Sequence, residues 1–194
     1  SGESKGILRQ TREWSKRSIG TVSLGQEIGV TPIQLITAFS AVANNGWMMK
    51  PFVVSEIRDG DKIVRKVYPE IKKRVISAET AAEMTRILTS VVEGGTGERA
   101  AIEGYRVAGK TGTAQKIDPK TGLYSDKYFV SSFIGYVPAE DPQIALLVVI
   151  DSPEGIAWGG SIAAPVFKSV AEDVLLYMNA PSTNEERILM VKRE

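Results

Sequence analysis

Three strand-like runs follow one another at residues 106–116, 128–137 and 144–151. Their connections are too short to hold a crossover. Asp118-Pro119 with Gly122 breaks the first pair, and Pro138 with Asp141-Pro142 breaks the second. Parallel neighbours need a linking segment of about a dozen residues or more, so these strands must form an antiparallel meander. The third run, "IALLVVI", is apolar on both faces. Such a strand is expected at the centre of a sheet, covered on both sides.

Helices flank this meander. Thr31-Pro32-Ile33-Gln34 opens the first, with Thr31 as cap, Pro32 at the first helical position and Gln34 as the capping-box partner. Leu35, Ile36, Phe39, Val42 and Ala43 form its apolar face, and Asn45-Gly46 stops it. Two strand-like runs, 52–58 and 62–68, surround Asp59-Gly60 and predict a surface hairpin. A second helix runs from a Ser77 cap to Gly94, with Met84, Ile87, Leu88 and Val91 as its stripe. The loop Gly94-Gly95-Thr96-Gly97 follows. A last helix spans about 161–178, with Val166, Phe167, Val170, Val174, Leu175 and Met178 facing inward and Pro165 in its first turn. The first 30 residues, rich in Gly, Ser and charge, read as irregular.

Composition removes several chemistries. The 194 residues include no Cys and no His, so disulfides, thiolate or imidazole metal sites and a Ser-His-Asp triad are excluded. A net charge of +1 gives no reason to expect a nucleic-acid or anionic-membrane partner. The 43% apolar and 24% charged content is that of a soluble globular domain large enough for a real core. No apolar run approaches the ~20 residues of a membrane span, and the polar "SGESKG" start is not a signal peptide.

The stretch "GYRVAGKTGT" at 104–113 matches the phosphate-loop pattern in its first eight letters and contains K-T-G in its last four. A phosphate loop must be a loop that runs into a helix N-terminus. Here Tyr105, Arg106, Val107 and Ala108 contain no glycine and begin a strand, and Thr111 is followed by more strand. The nucleotide reading is therefore rejected. In a strand, side chains alternate, so Thr111 and Thr113 share a face. Gly112 between them lets a ligand lie against the backbone. Lys110 adds a positive charge. The tetrapeptide alone fits either an ordinary exposed strand or the edge of a site for an extended substrate ending in a carboxylate.

Its surroundings favour the second. "EGYRVAGKTGTAQK", with "GGTGERAAI" before it, resembles the third active-site motif of penicillin-binding proteins. "SIGTVSLGQEIGVTPIQLITAFSAVANNGWMMKPFVV" resembles the segment preceding that motif in class B, monofunctional transpeptidases, and "GGSIAAPVFKSVAEDVLLYM" resembles their C-terminal helix. The similarity runs from about Lys5 to about Met178 and is closest to septal and sporulation-type members. It implies an α+β fold, an antiparallel sheet with helices on both faces. It also implies acyl transfer through an S-x-x-K serine, activated by lysine and an S-x-N serine, onto D-Ala–D-Ala stem peptides. No cofactor is implied. Lys110 then maintains positive charge, Thr111, Gly112 and Thr113 bind the substrate or β-lactam carboxylate end, and the Thr113 N–H is one oxyanion donor.

One departure is decisive. No serine in the chain begins S-x-x-K, and the only S-x-N, Ser182-Thr183-Asn184, lies after K-T-G in the tail, as a decoy. The nucleophile is therefore expected upstream of Ser1. Residues 1–178 read as the C-terminal part of a transpeptidase domain holding three of five sheet strands, and 179–194 as a polar tail. The implied partners are peptidoglycan stem peptides, β-lactams, the N-terminal half of the same protein and other cell-wall or division proteins. The implied location is the outer face of the cytoplasmic membrane, with the anchor outside these residues. A β-lactam sensor or inactive homologue, or a purely structural fragment, are the other classes the residues permit. Trp14 and Trp47 read as packing residues, while Trp158, before Gly159-Gly160, is the best placed for a site. Lys116, Lys120 and Lys127 read as a solvated rim, Tyr124 and Tyr128 as flanks of a groove, and Asp151 as structural.

Overall fold

The computed structural model describes residues 4–182. The elements run β1 (Ile7–Leu8), α1 (Ser18–Ser23), β2 (Ile28–Gly29), α2 (Pro32–Ala43), β3 (Trp47–Met49), β4 (Glu56–Asp59), β5 (Lys62–Lys66) and β6 (Ile71–Arg74). Then follow α3 (Ala78–Gly94), a 3₁₀ turn (Glu98–Ala100), β7 (Ala108–Ile117), β8 (Tyr124–Val137), β9 (Ile144–Asp151) and α4 (Gly159–Met178). Of the S-x-N decoy, Thr183 and Asn184 lie outside the described residues, as does the tail from 183 on.

The meander forms as expected, in the order β7-β8-β9 with both pairs antiparallel. The central strand, however, is β8 and not β9. Among the described residues β9 is an edge, and Val149 is 43% exposed. Its two-faced apolar sequence is thus only half used by these residues. Strand alternation sends β8 side chains to two cores. Phe133 and Val137 face α4, where Phe167 meets Phe133 edge-on at 4.8 Å. Tyr136 faces the other way, toward Leu88 of α3 and Phe39 of α2, whose ring lies 5.6 Å away. Helices therefore cover both faces of the sheet. The buried Tyr136 hydroxyl meets Thr85 Oγ1 at 2.7 Å, and loss of water raises its pKa.

The helix starts agree with their sequence signals. Thr31 Oγ1 accepts from the Gln34 N–H at 3.2 Å while Gln34 Oε1 accepts from the Thr31 N–H at 2.9 Å. Ser77 Oγ accepts from the Thr80 N–H at 3.1 Å. The buried faces differ from expectation. In α3 they are Ala81, Leu88, Thr89 and Val92, and Met84 and Ile87 are exposed. In α4 they are Ala163, Ala164, Phe167, Ala171 and Leu175, with Val166, Val170 and Met178 exposed. Both helices turn their small residues inward because backbone approaches backbone at the sheet. Gly135 on β8 is part of this, since a Cβ there would lie 3.0 Å from the Phe167 ring.

Two further corrections concern local structure. Pro165 is not in the first turn, because α4 begins at Gly159. Its ring nitrogen cannot serve the carbonyl of Ser161 four residues back, and Arg99 Nη1 donates to that oxygen at 3.3 Å instead. The first 30 residues contain a short helix, α1, which surrounds a carboxylate. Glu27 accepts from Thr21 Oγ1 at 2.5 Å and Ser18 Oγ at 2.8 Å, and these bonds lower its pKa. Residues 47–74 form a ribbon, with β3 on β6 and β4 on β5 around Gly60-Asp61. The expected hairpin is its exposed tip, and β3 and β6 are additional.

Among the described residues no strand pairs with the outer edge of β9, which lies beside exposed apolar side chains, a template for association. Residues 4–182 prepared alone are expected to self-associate, read by light scattering; a monomeric preparation with a cooperative melt would count against this. In the protein as it folds, Phe167→Ala should cost about 3–5 kcal/mol in urea denaturation. Met84→Ala should stay within roughly 0.5 kcal/mol.

Candidate functional site

β7 forms the other edge of the sheet, and its outer side borders a cleft of about 560 Å³. One wall is the strand from Lys110 to Thr113, the second is the loop after α3 at Gly95 and Thr96, and the third is the start of α4. The segment is extended and paired with β8 in register, Lys110 opposite Ile134 and Thr113 opposite Ser131. That geometry excludes a phosphate cradle at a helical start.

All four residues of the Lys-Thr-Gly-Thr run line this one cleft. Thr111 and Thr113 act on the same side, as alternation requires. Thr113 Oγ1 accepts from the Gly159 N–H at 3.1 Å, and Thr111 Oγ1 lies 3.0 Å from Thr96 Oγ1. The exposed Lys110 ammonium folds along the strand and donates to Thr111 O at 2.9 Å and Thr111 Oγ1 at 3.2 Å. Lys110, Arg99 and the positive end of the 20-residue α4 set the cleft's field, against one carboxylate, Glu98. The arrangement suits an anionic group held by two hydroxyls and an ammonium.

Close packing holds these walls together. A Cβ on Gly112 would overlap Ser132 Oγ, and one on Gly159 would strike the carbonyls of Ser132 and Gly112. One on Gly160 would strike the carbonyl of Thr96 and approach Thr111 Cγ2 to 3.3 Å. The two glycines opening α4 thus let the helix rest on β7, β8 and the Thr96 loop at once. Ser131 Oγ also donates to the Ala157 carbonyl, tying β8 to the segment before α4.

Trp158 lines the cleft and is 70% exposed, as its sequence position suggests. Tyr124 and Tyr128 do not line it; they lie farther along β8, Tyr124 opposite Ile117. Lys116 is not merely rim, since its ammonium pairs with Asp151 at 2.6 Å and with Ser152 Oγ, which holds the Asp151 carboxyl below its usual pKa. Trp47 stacks under Arg74 at 5.3 Å, and Trp14 Nε1 donates to Arg9 O at 3.1 Å. Sequence reasoning missed Thr96, Arg99 and Leu24 as cleft residues. The only available signal was the glycine-rich loop that carries Thr96.

Comparison with known proteins places these features in context. The family model described as the penicillin binding protein transpeptidase domain matches residues 1–172. Stage V sporulation protein D of Bacillus subtilis is 43% identical over 177 residues, which is 90% of this chain and 27% of that protein. The peptidoglycan D,D-transpeptidase FtsI of Escherichia coli is 36% identical over 180 residues, 92% of this chain and 29% of that protein. The chain therefore spans less than a third of the length of these two relatives. Among solved structures, penicillin binding protein 3 of Mycobacterium tuberculosis in complex with aztreonam superimposes with a TM-score of 0.83 at 31% identity. That match covers 93% of this chain and 42% of the other.

Overpacking a close contact costs about 1–3 kcal/mol, more than a helix gains from replacing glycine. Gly160→Ala is therefore expected to lower the melting temperature and to displace Thr96. Gly20→Ala, in α1 with open space around it, should raise stability by about 0.5–1 kcal/mol. Thermal melts of the two variants check both directions.

Proposed function

The chain belongs to the family of penicillin-binding-protein transpeptidase domains, and on that premise we propose that it supplies one wall of a peptidoglycan D,D-transpeptidase site. The substrate is the D-Ala–D-Ala end of a stem peptide. A serine hydroxyl from a segment outside these 194 residues attacks the penultimate carbonyl and expels the last alanine. The acyl group then passes to an amine of a neighbouring peptide. The chain contains no S-x-x-K, so it holds the binding wall and not the nucleophile. Residues 1–178 are the C-terminal part of the domain, and 179–194 are its tail.

The observation that carries this reading is the hydroxyl geometry along β7. Thr113 Oγ1 already accepts the Gly159 N–H, so its own proton is available to a ligand in the cleft. Lys110 sits on the same strand as a fixed cation. An extended peptide laid beside Gly112 places its carboxylate against Thr111, Thr113 and Lys110. Its reacting carbonyl falls near the backbone N–H of Thr113, which serves as one oxyanion donor. A donor of that kind lowers the barrier by about 3–4 kcal/mol. A β-lactam presents the same carboxylate and a strained carbonyl, and becomes a slow acyl-enzyme. That the Mycobacterium tuberculosis relative is known with aztreonam and with ampicillin supports this use of the cleft.

The other half of the domain, which brings the serine, is the first partner, alongside other cell-wall or division proteins. The site works at the outer face of the cytoplasmic membrane, held by an anchor elsewhere in the protein. No helix among the described residues is long and apolar enough to cross a membrane.

Fluorescent penicillin should label the protein that carries this chain with its upstream segment, and should leave residues 1–194 alone unlabelled. In the labelled protein, Lys110→Ala and Thr113→Val should each slow acylation by about 10–10², the scale of one hydrogen bond to a charged group. Lys110→Ala should leave the melting temperature unchanged, whereas Thr113→Val should lower it by stripping the Gly159 N–H of its acceptor. Labelling at wild-type rate in both variants would remove the cleft from the reaction. Labelling without cross-linking of stem peptides would instead indicate a sensor or inactive homologue.

A further inference from the structure

Thr96 Oγ1 and Thr111 Oγ1 lie 3.0 Å apart, and Lys110 Nζ lies 3.2 Å from Thr111 Oγ1. An ammonium only donates, so it takes one lone pair of the Thr111 oxygen. The two hydroxyls hold two protons between them. One is consumed in the bond that joins them, and the other is free to point into the cleft. When an anion occupies the cleft, the favoured order is Thr96 O–H to Thr111 Oγ1 and Thr111 O–H to the anion. Each bond in such a chain polarises the next.

From this we infer that Thr96 is a positioning residue, which orients the Thr111 hydroxyl as a donor and so makes the cleft selective for ligands bearing a carboxylate. The inference rests on the transpeptidase reading of the cleft given above and adds to it a residue from outside β7. Thr96 is not free to wander. Gly160 at the start of α4 abuts its carbonyl, leaving no room for a Cβ. One residue on, Gly97 is buried, donates its N–H to Val91 O at 2.9 Å and leaves 3.1 Å between a Cβ position and the Phe133 ring. The loop is thus clamped from the helix side and from the core, and the Thr96 hydroxyl is presented to β7 at a fixed distance. Preorganisation of this kind lowers the ordering cost when a ligand binds.

The test uses the protein carrying this chain with its upstream segment. Acylation by ampicillin and by its carboxylate methyl ester is followed in competition with a fluorescent penicillin. Thr96→Val keeps the shape and removes the hydroxyl. It should cut the preference for acid over ester about tenfold, the scale of one hydrogen bond to a charged group. Thr96→Ser should restore that preference. Thr96→Val added to Thr111→Val should cost nothing beyond Thr111→Val alone. Equal losses for acid and ester, no rescue by serine, or additive losses in the double variant would each overturn the inference. A wild-type protein that takes no acyl group would overturn the transpeptidase reading instead. Thermal melts of the wild type, Thr96→Val, Thr111→Val and the double variant would then decide the contact: non-additive shifts for Thr96 and Thr111 uphold it, and additive shifts reject it.

Discussion

The approach of α4 onto the β7–β8 pair is the constraint on which the rest of this structure depends. A 20-residue helix ordinarily stands off a sheet by the thickness of its side chains. Here its first two residues are glycines, and α4 begins where the carbonyls of Gly112, Ser132 and Thr96 leave room for no Cβ. Farther along, Ala163, Ala164 and Ala171 continue the small-residue surface, while Phe167 packs against Phe133 and Leu175 fills the far end of the same core. The close start puts the helix N-terminus at the cleft, seats a backbone N–H on Thr113 and clamps the loop that carries Thr96. Packing and site geometry are therefore the same contact.

The sheet's second face is built on different terms. Tyr136 is the largest fully buried side chain among the described residues, and its hydroxyl pairs with that of Thr85. That single bond lets a phenol occupy the core between α2 and α3. Thr89, buried one turn farther along α3, donates its hydroxyl to the Thr85 carbonyl. Arg106 then ties α3 to the turn after β8, through Glu93 at 2.9 Å and Glu140 at 2.8 Å. These exposed pairs add little stability by themselves; they hold the end of the meander in register with the helix.

Much of this was legible in local chemistry. The strand–turn–strand–turn–strand pattern, the capping box at Thr31, the Ser77 cap and the alternation that puts Thr111 and Thr113 on one side all follow from residue-level rules. Other features were not. The stripe expected on α3 favoured Met84 and Ile87 because they are large, whereas the helix buries Ala81 and Thr89. The short helix α1 and strands β3 and β6 have weak intrinsic signals, and partners distant in sequence stabilise them. Pro165 was misplaced because the helix begins two residues earlier than its apolar pattern does, with Arg99 serving the carbonyl that Pro165 cannot.

Sequence alone determined the three meander strands and their antiparallel order, the helices α2, α3 and α4, and the chemical character of the Lys-Thr-Gly-Thr run, because these depend on short-range sterics, periodicity and side-chain type. Tertiary structure decided that β8, not β9, is central among these residues, which helix faces are buried, and that Thr96 meets Thr111 across 15 positions of chain. Those outcomes depend on how near two backbones can come, a property of pairs of elements that no single segment encodes.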